Sequence, residues 1–155
     1  PVAGALRGAH FATVQFKHES ATYLAPFRVA VGDRVVVEGD RGMHFGVVTG
    51  LTTEAPATPT TQQVLRRATA TDMETHQLQR EHETEAIAVA AKLAASLRLN
   101  ATVDDAEFQF DGQKLTIYVR RTSKSVFVDF RKLQRGLFKE YHCRIWCAYM
   151  DEVET

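Results

Sequence analysis

From Phe11 to Leu51 the apolar residues come in short runs, "FATVQFK", "ATYLAPF", "RVVVE" and "MHFGVVTGL", with turns at Gly32-Asp33 and at Gly39-Asp40-Arg41-Gly42. Short apolar runs punctuated in this way predict strands, so the stretch is expected to form a small antiparallel, barrel-like β unit. Pro26, near the end of the second run, marks an edge or a strand end, because proline has no amide to give to a ladder. The pattern then lapses in "TEAPATPTT", Thr53 to Thr61, where Thr, Ala and Pro carry no apolar period and predict a linker or exposed loop.

The period changes beyond it. "QQVLRRA" is a short strand candidate, and Thr71-Asp72-Met73-Glu74 has the form in which two side chains satisfy each other's free amides at a helix start. A helix to about Leu97 follows, with Ala86, Val89, Ala90, Leu93 and Leu97 as its apolar stripe. Its first half, "METHQLQREHETE", is almost wholly polar and is expected to project from the core or meet another surface. "AEFQFDGQKLTIYV" reads as a hairpin, with Phe108, Phe110, Leu115, Ile117 and Val119 on one face and Asp111-Gly112 as the turn. "DFRKLQRGLFKEY" returns to helical spacing behind Asp129 as N-cap, and "CRIWCAYM" closes as a strand. From Val64 on the order is β-α-β-β-α-β, the ferredoxin-like pattern. The expected fold is therefore α+β. A β unit spans residues 1–53, a loop 54–61 and a ferredoxin-like unit 62–155, together one compact domain.

Composition narrows the classes. The 155 residues are 45% hydrophobic and 25% charged, which suits a globular protein with a sizeable core. Nineteen basic residues offset nineteen acidic ones, so any nucleic-acid contact has to come from a local patch. No apolar run approaches the ~20 residues of a membrane span, and two cysteines are too few for a disulfide framework, which favours the reducing cytoplasm. The sequence begins at Pro1, as after removal of a methionine or excision from a longer chain, so a targeting signal is not read from it.

Three stretches invite chemistry. "YHCRIWC" puts one histidine and both cysteines within seven residues, but a strand would hold Cys143 and Cys147 on one face about 13 Å apart, far beyond disulfide reach. Cysteine there behaves as a small buried hydrophobe. "HETEA" at His82 lacks the second histidine of a zinc helix, and "VEGDRGMHFG" lacks the Gly-Lys-Ser/Thr ending of a nucleotide loop. The latter is read as a hairpin with Gly39 and Gly42 at positive φ and Arg41 exposed at its tip.

The motifs "GDRVVVEGDRGMHFGVV" at Gly32 to Val48, "VLRRAT" at Val64 with Asp72, "EFQFDGQKLTIYV" at Glu107 and "VDFRKL" at Val128 resemble, in order and spacing, one family. It is the C-terminal domain of the fungal polymerase-suppressor proteins, shared with bacterial YaaT/RicT-like and kinetoplastid mRNA-associated proteins. The resemblance covers about Val31 to Met150. It implies association with RNA metabolism and regulatory protein complexes, with no agreed catalytic reaction. Bacterial members carry a cysteine-rich, iron–sulfur-like tail that "MDEVET" does not contain, so that ligand set is not carried over.

Two basic groupings remain as candidate contacts for RNA or a protein partner. Arg131, Arg135 and Lys139 recur at four-residue spacing with Lys132 beside them, on the helix side away from Leu133 and Leu137. In a ferredoxin-like sheet Tyr118, Arg120, Arg144, Trp146 and Arg66 would share the outer face. An aromatic patch ringed by arginine can stack unpaired bases, or it can pack on the N-terminal unit or on a second copy of the chain. No Ser/His/Asp set, paired catalytic carboxylates, metal spacing or cofactor motif emerges. The expected function is a non-enzymatic module in mRNA regulation, contacting mRNA or acting as adaptor in a ribonucleoprotein complex. The alternative is an interaction or dimerisation scaffold without RNA contact.

Overall fold

The computed structural model describes residues 10–154. It divides into two compact units between Glu74 and Thr75. The first holds five strands: β1 (His10–Gln15), β2 (Ser20–Ala25), β3 (Arg34–Gly39), β4 (Gly42–Thr52) and β5 (Val64–Arg67). They form one antiparallel sheet in the order β2-β1-β4-β3-β5. The Leu24 amide donates to the Gln62 carbonyl at 2.9 Å, and Leu24 bridges Gln63 in parallel, so the two sheet edges curl towards each other. Register shifts at Thr13/Val14 and Val36/Val37 supply the local bends such curling needs. At Gly46 a Cβ would fall 2.7 Å from the Gln15 carbonyl oxygen, so β1 and β4 approach as closely as they do only because no side chain intervenes.

The four predicted strands of this unit are present, and Pro26 directly follows β2 at the sheet's edge. Their inward residues Ala12, Val14, Tyr23, Ala25, Val35, Val37 and Val48 form the core. Two details are corrected. At the β3–β4 turn, positive φ falls on Arg41, at 58°, and not on Gly39 or Gly42, which pair with each other as the last rung of the ladder. The second concerns β5, expected in the C-terminal sheet. It instead pairs with β3, Val37 opposite Val64 and Val35 opposite Arg67, so one strand of the β-α-β-β-α-β order belongs to the first sheet. The Glu38 amide donates to the Gln63 carbonyl at 3.0 Å and the Gln63 amide returns to Glu38 Oε1 at 2.7 Å. β3 would otherwise be an edge whose three valines are fully buried, and β5 satisfies its backbone.

The long helix α1 (Ala70–Ser96) starts two residues earlier than its expected signature. The Asp72 amide donates to Thr69 Oγ1 and the Thr69 amide to Asp72 Oδ2, both at 3.0 Å, so the reciprocal cap is Thr69/Asp72 and not Thr71/Glu74.

The second unit continues with β6 (Thr102–Phe108), β7 (Lys114–Arg120), α2 (Arg131–Tyr141), β8 (Arg144–Tyr149) and the short α3 (Met150–Val153). Its sheet has the order β6-β7-β8, with β6 antiparallel to β7 and β7 parallel to β8. A parallel pair needs a crossover, and α2 provides it. Ala86, Ala90 and Ala94 of α1, Leu133 and Leu137 of α2, and Ala106, Leu115, Ile117 and Val119 of the hairpin make one core, so both helices cover the same sheet face. Cys143 belongs to that core and Cys147 packs against it, as the strand reading requires. Gly136 lets α2 approach α1, since a Cβ there would overlap Leu93 Cδ2.

The α+β class therefore stands, and the helix stripe and the hairpin lie where the periodicity placed them. Phe108 packs against the core, whereas Phe110 lies beyond the end of β6 and is buried outside that cluster. The polar first half of α1 does not simply project. Gln79 Nε2 donates to the Phe110 carbonyl at 2.8 Å, and Glu83, 1% accessible, accepts the Phe108 amide at 2.8 Å and pairs with Arg80 at 3.0 Å. Polar residues there serve the free backbone groups of the hairpin end.

Candidate functional site

Of the residues expected to share the outer sheet face, the structure keeps Tyr118, Arg120, Arg144 and Trp146 on β7 and β8 and moves Arg66 to the first sheet. Arg66 lies on β5 in the first sheet, where its guanidinium holds Asp72 by two bonds, at 3.0 and 3.1 Å. That pairing, with the Thr69 bonds, pulls the Asp72 carboxyl down to a pKa of about 2. Tyr118 is only 3% accessible, with its hydroxyl 3.2 Å from buried Glu107, so its ring is not available to stack a base. Arg120 is exposed but spans Asp104 at 2.9 Å and Glu154 at 2.6 Å. Arg144, half-buried, lies at the start of β8. Of the aromatic pair only Trp146 is open, at 60%. Arg66 therefore drops out of the sheet-face patch, and within it Tyr118 is buried and Arg120 ion-paired, while Trp146 stays open. Arg41 is exposed at its hairpin tip, in the first unit.

The helical stripe has a different outcome. Arg131, Lys132, Arg135 and Lys139 are all exposed on α2. Arg131 is held by Asp129, Nη2 to Oδ2 at 2.7 Å, and Asp129 also accepts the Arg131 amide at 3.1 Å. These contacts bring the Asp129 carboxyl to about 2, with the guanidinium as chief cause. Lys132, Arg135 and Lys139 form no ion pair among the described residues.

The stripe, expected on the helix side away from Leu133 and Leu137, borders apolar surface. Arg131, Gln134, Arg135, Phe138, Lys139 and Ile145 line a groove of about 650 Å³ between α2 and β8. A second groove of about 450 Å³ adjoins it, sharing Arg131 and Gln134 and walled by Phe127, Phe130 and Trp146. Phe127 is 78% and Phe138 54% accessible. Contiguous apolar exposure of this kind marks an interface. The αL turn at His142, whose amide bonds to the Phe138 carbonyl, redirects the chain one residue after α2.

Sequence reading missed Arg121. Its side chain, 7% accessible, binds Asp151 through two bonds at 2.8 and 3.0 Å and donates to the Val126 carbonyl at 2.8 Å. It thereby anchors the segment that presents Phe127. A lone arginine after a strand carries no signal of such burial.

Burial pushes the Cys147 thiol up to about 12 and raises that of Cys143. No group of three or more His, Cys, Asp or Glu placed to hold a metal occurs among the described residues. No described helix is long and apolar enough to cross a membrane.

Comparison with known proteins adds the family. The profile described as the PSP1 C-terminal conserved region matches residues 62–149, from just ahead of β5 to the end of β8. An uncharacterized protein of Schizosaccharomyces pombe is 34% identical over 88 residues, 56% of this chain and 11% of its own length. Protein PSP1 of Saccharomyces cerevisiae is 48% identical over 52 residues, 33% of this chain and 6% of its own. The chain thus spans about a tenth or less of these curated relatives. No solved structure matches it.

Proposed function

This chain belongs to the family of the PSP1 C-terminal conserved region, and on that footing we propose that it is a non-enzymatic adaptor in post-transcriptional mRNA regulation, presenting the α2–β8 surface to regulatory proteins. The family resemblance to mRNA-associated proteins supports the setting. One observation carries the adaptor role: the open aromatics Phe127, Phe138 and Trp146 line two adjoining grooves, while Tyr118, the other aromatic of the sheet face, is buried against Glu107. Aromatic anchors beside arginine are typical of protein interfaces.

A second reading, direct RNA contact along α2, is favoured by Arg135 and Lys139, which form no ion pair among the described residues and could each neutralise a phosphate. The two separate in cells expressing the protein. Amine crosslinking at Lys132 and Lys139 followed by peptide mapping is expected to link them to a protein, and ultraviolet crosslinking to leave the Phe138 and Trp146 peptides free of RNA. RNA adducts on those peptides, with no protein crosslink, would replace the adaptor by an RNA-binding module.

A further inference from the structure

We infer that the free edge of β8 takes up an extended segment of a protein partner, alternating acidic and apolar residues, as a fourth strand of the second sheet. This rests on the adaptor reading and specifies what the α2–β8 surface holds. Among the described residues β8 pairs only with β7, so one side of this six-residue strand has no described ladder partner in the sheet. The Ile145 carbonyl, which accepts from Gln134 Nε2 at 3.3 Å, marks the outward row of backbone groups, and strand alternation puts the Cys147 amide and carbonyl on it too. Exposed edges are usually shortened, charged or covered. This one carries an open tryptophan and two grooves that meet at Gln134.

Charge selects the occupant. Arg135 and Lys139, cations with no ion pair among the described residues, line the rim of a groove floored by Phe138 and Ile145. An added strand places alternate side chains on the helix-covered side, where apolar ones meet the floor and acidic ones reach the rim. A second copy pairing edge to edge about a two-fold axis would bring the two α2 helices, and the same cations, side by side. That repulsion disfavours self-association. RNA would use the cations but has no use for a row of amides and carbonyls in strand register.

A displayed library of random ten-residue peptides, selected on the whole chain, tests this. Enriched sequences are expected to alternate Asp or Glu with Val, Ile or Leu and to slow amide hydrogen exchange at Ile145 and Cys147 about tenfold or more. In the Arg135→Glu/Lys139→Glu variant, folded by circular dichroism, their affinity should fall about tenfold, or ~1.4 kcal/mol. No enrichment, peptides indifferent to the reversal, or unchanged exchange at both amides overturns the inference. So does displacement of the peptides by a ten-nucleotide single-stranded RNA at equal concentration, or a doubled mass that protects those amides without peptide. Protein crosslinks at Lys132 and Lys139 without amide protection would leave the adaptor standing and remove strand addition. Loss of both would remove the adaptor as well.

Discussion

The guanidinium carbon of Arg121 lies over the Tyr149 ring, 3.4 Å from its centroid, while the Tyr149 hydroxyl accepts the Val128 amide at 3.1 Å. One stacked pair thus joins the end of β8 to both ends of residues 121–128, and Asp151 on α3 completes the charge. Desolvated cation–ring contacts gain strength because the cation has already left water. Phe127, the most exposed large apolar residue among those described, sits on the segment so held.

Replacing Arg121 should therefore matter more than replacing any stripe cation. Arg121→Ala is expected to lower the thermal midpoint clearly, whereas Arg131→Ala, whose pair with Asp129 is exposed, should leave it nearly unchanged. Thermal unfolding of the two variants side by side decides the ranking, and equal midpoints would mean the stacked pair holds nothing.

The contact of Gly136 with Leu93 predicts a second asymmetry. Gly136→Ala raises intrinsic helix propensity, yet its methyl meets Leu93, so the net effect is expected to be a loss of about 1–3 kcal/mol from overpacking. Pairing it with Leu93→Ala should recover part of that loss, a coupling that denaturant titration of the double-mutant cycle measures.

Asp72 gives a pH signature. Its folded pKa is depressed from 3.8 to about 2, chiefly by Arg66, so the stability it contributes is present above about pH 4 and is lost as pH falls through 2. Asp72→Asn should flatten the stability of the first unit in that window while reducing it at neutral pH. A carboxyl titration followed by carbon-13 NMR that places Asp72 near 4 in the folded chain would contradict the pairing.

The cysteines should be inert while the chain is folded. With the Cys147 thiol near 12 and that of Cys143 also raised, little thiolate exists at pH 8, and alkylation is expected only after unfolding. Cys143→Ser buries a hydroxyl at the core's margin and should cost about 1–3 kcal/mol. Alkylation of the native protein at the rate of the denatured one would point to a more open β8.

Much of this protein was legible from local pattern. The four strands from His10 to Thr52, the stripe from Ala86 to Leu93, the hairpin about Gly112 and the buried face of "CRIWC" all follow from side-chain period and turn chemistry, which act over a few residues. Assignment of β5 was not legible, because four residues of strand carry no record of which sheet has the unsatisfied edge. Tyr118 and Trp146 present the same difficulty: both were placed on an outer face, but only the folded molecule buries one beside Glu107 and leaves the other in a groove. Arg121, too, is an ordinary charged residue until residues 28 to 30 positions further on supply a ring and a carboxylate. Period and caps are local and can be read along the chain, whereas edges, grooves and ion-pair partners arise when distant segments meet.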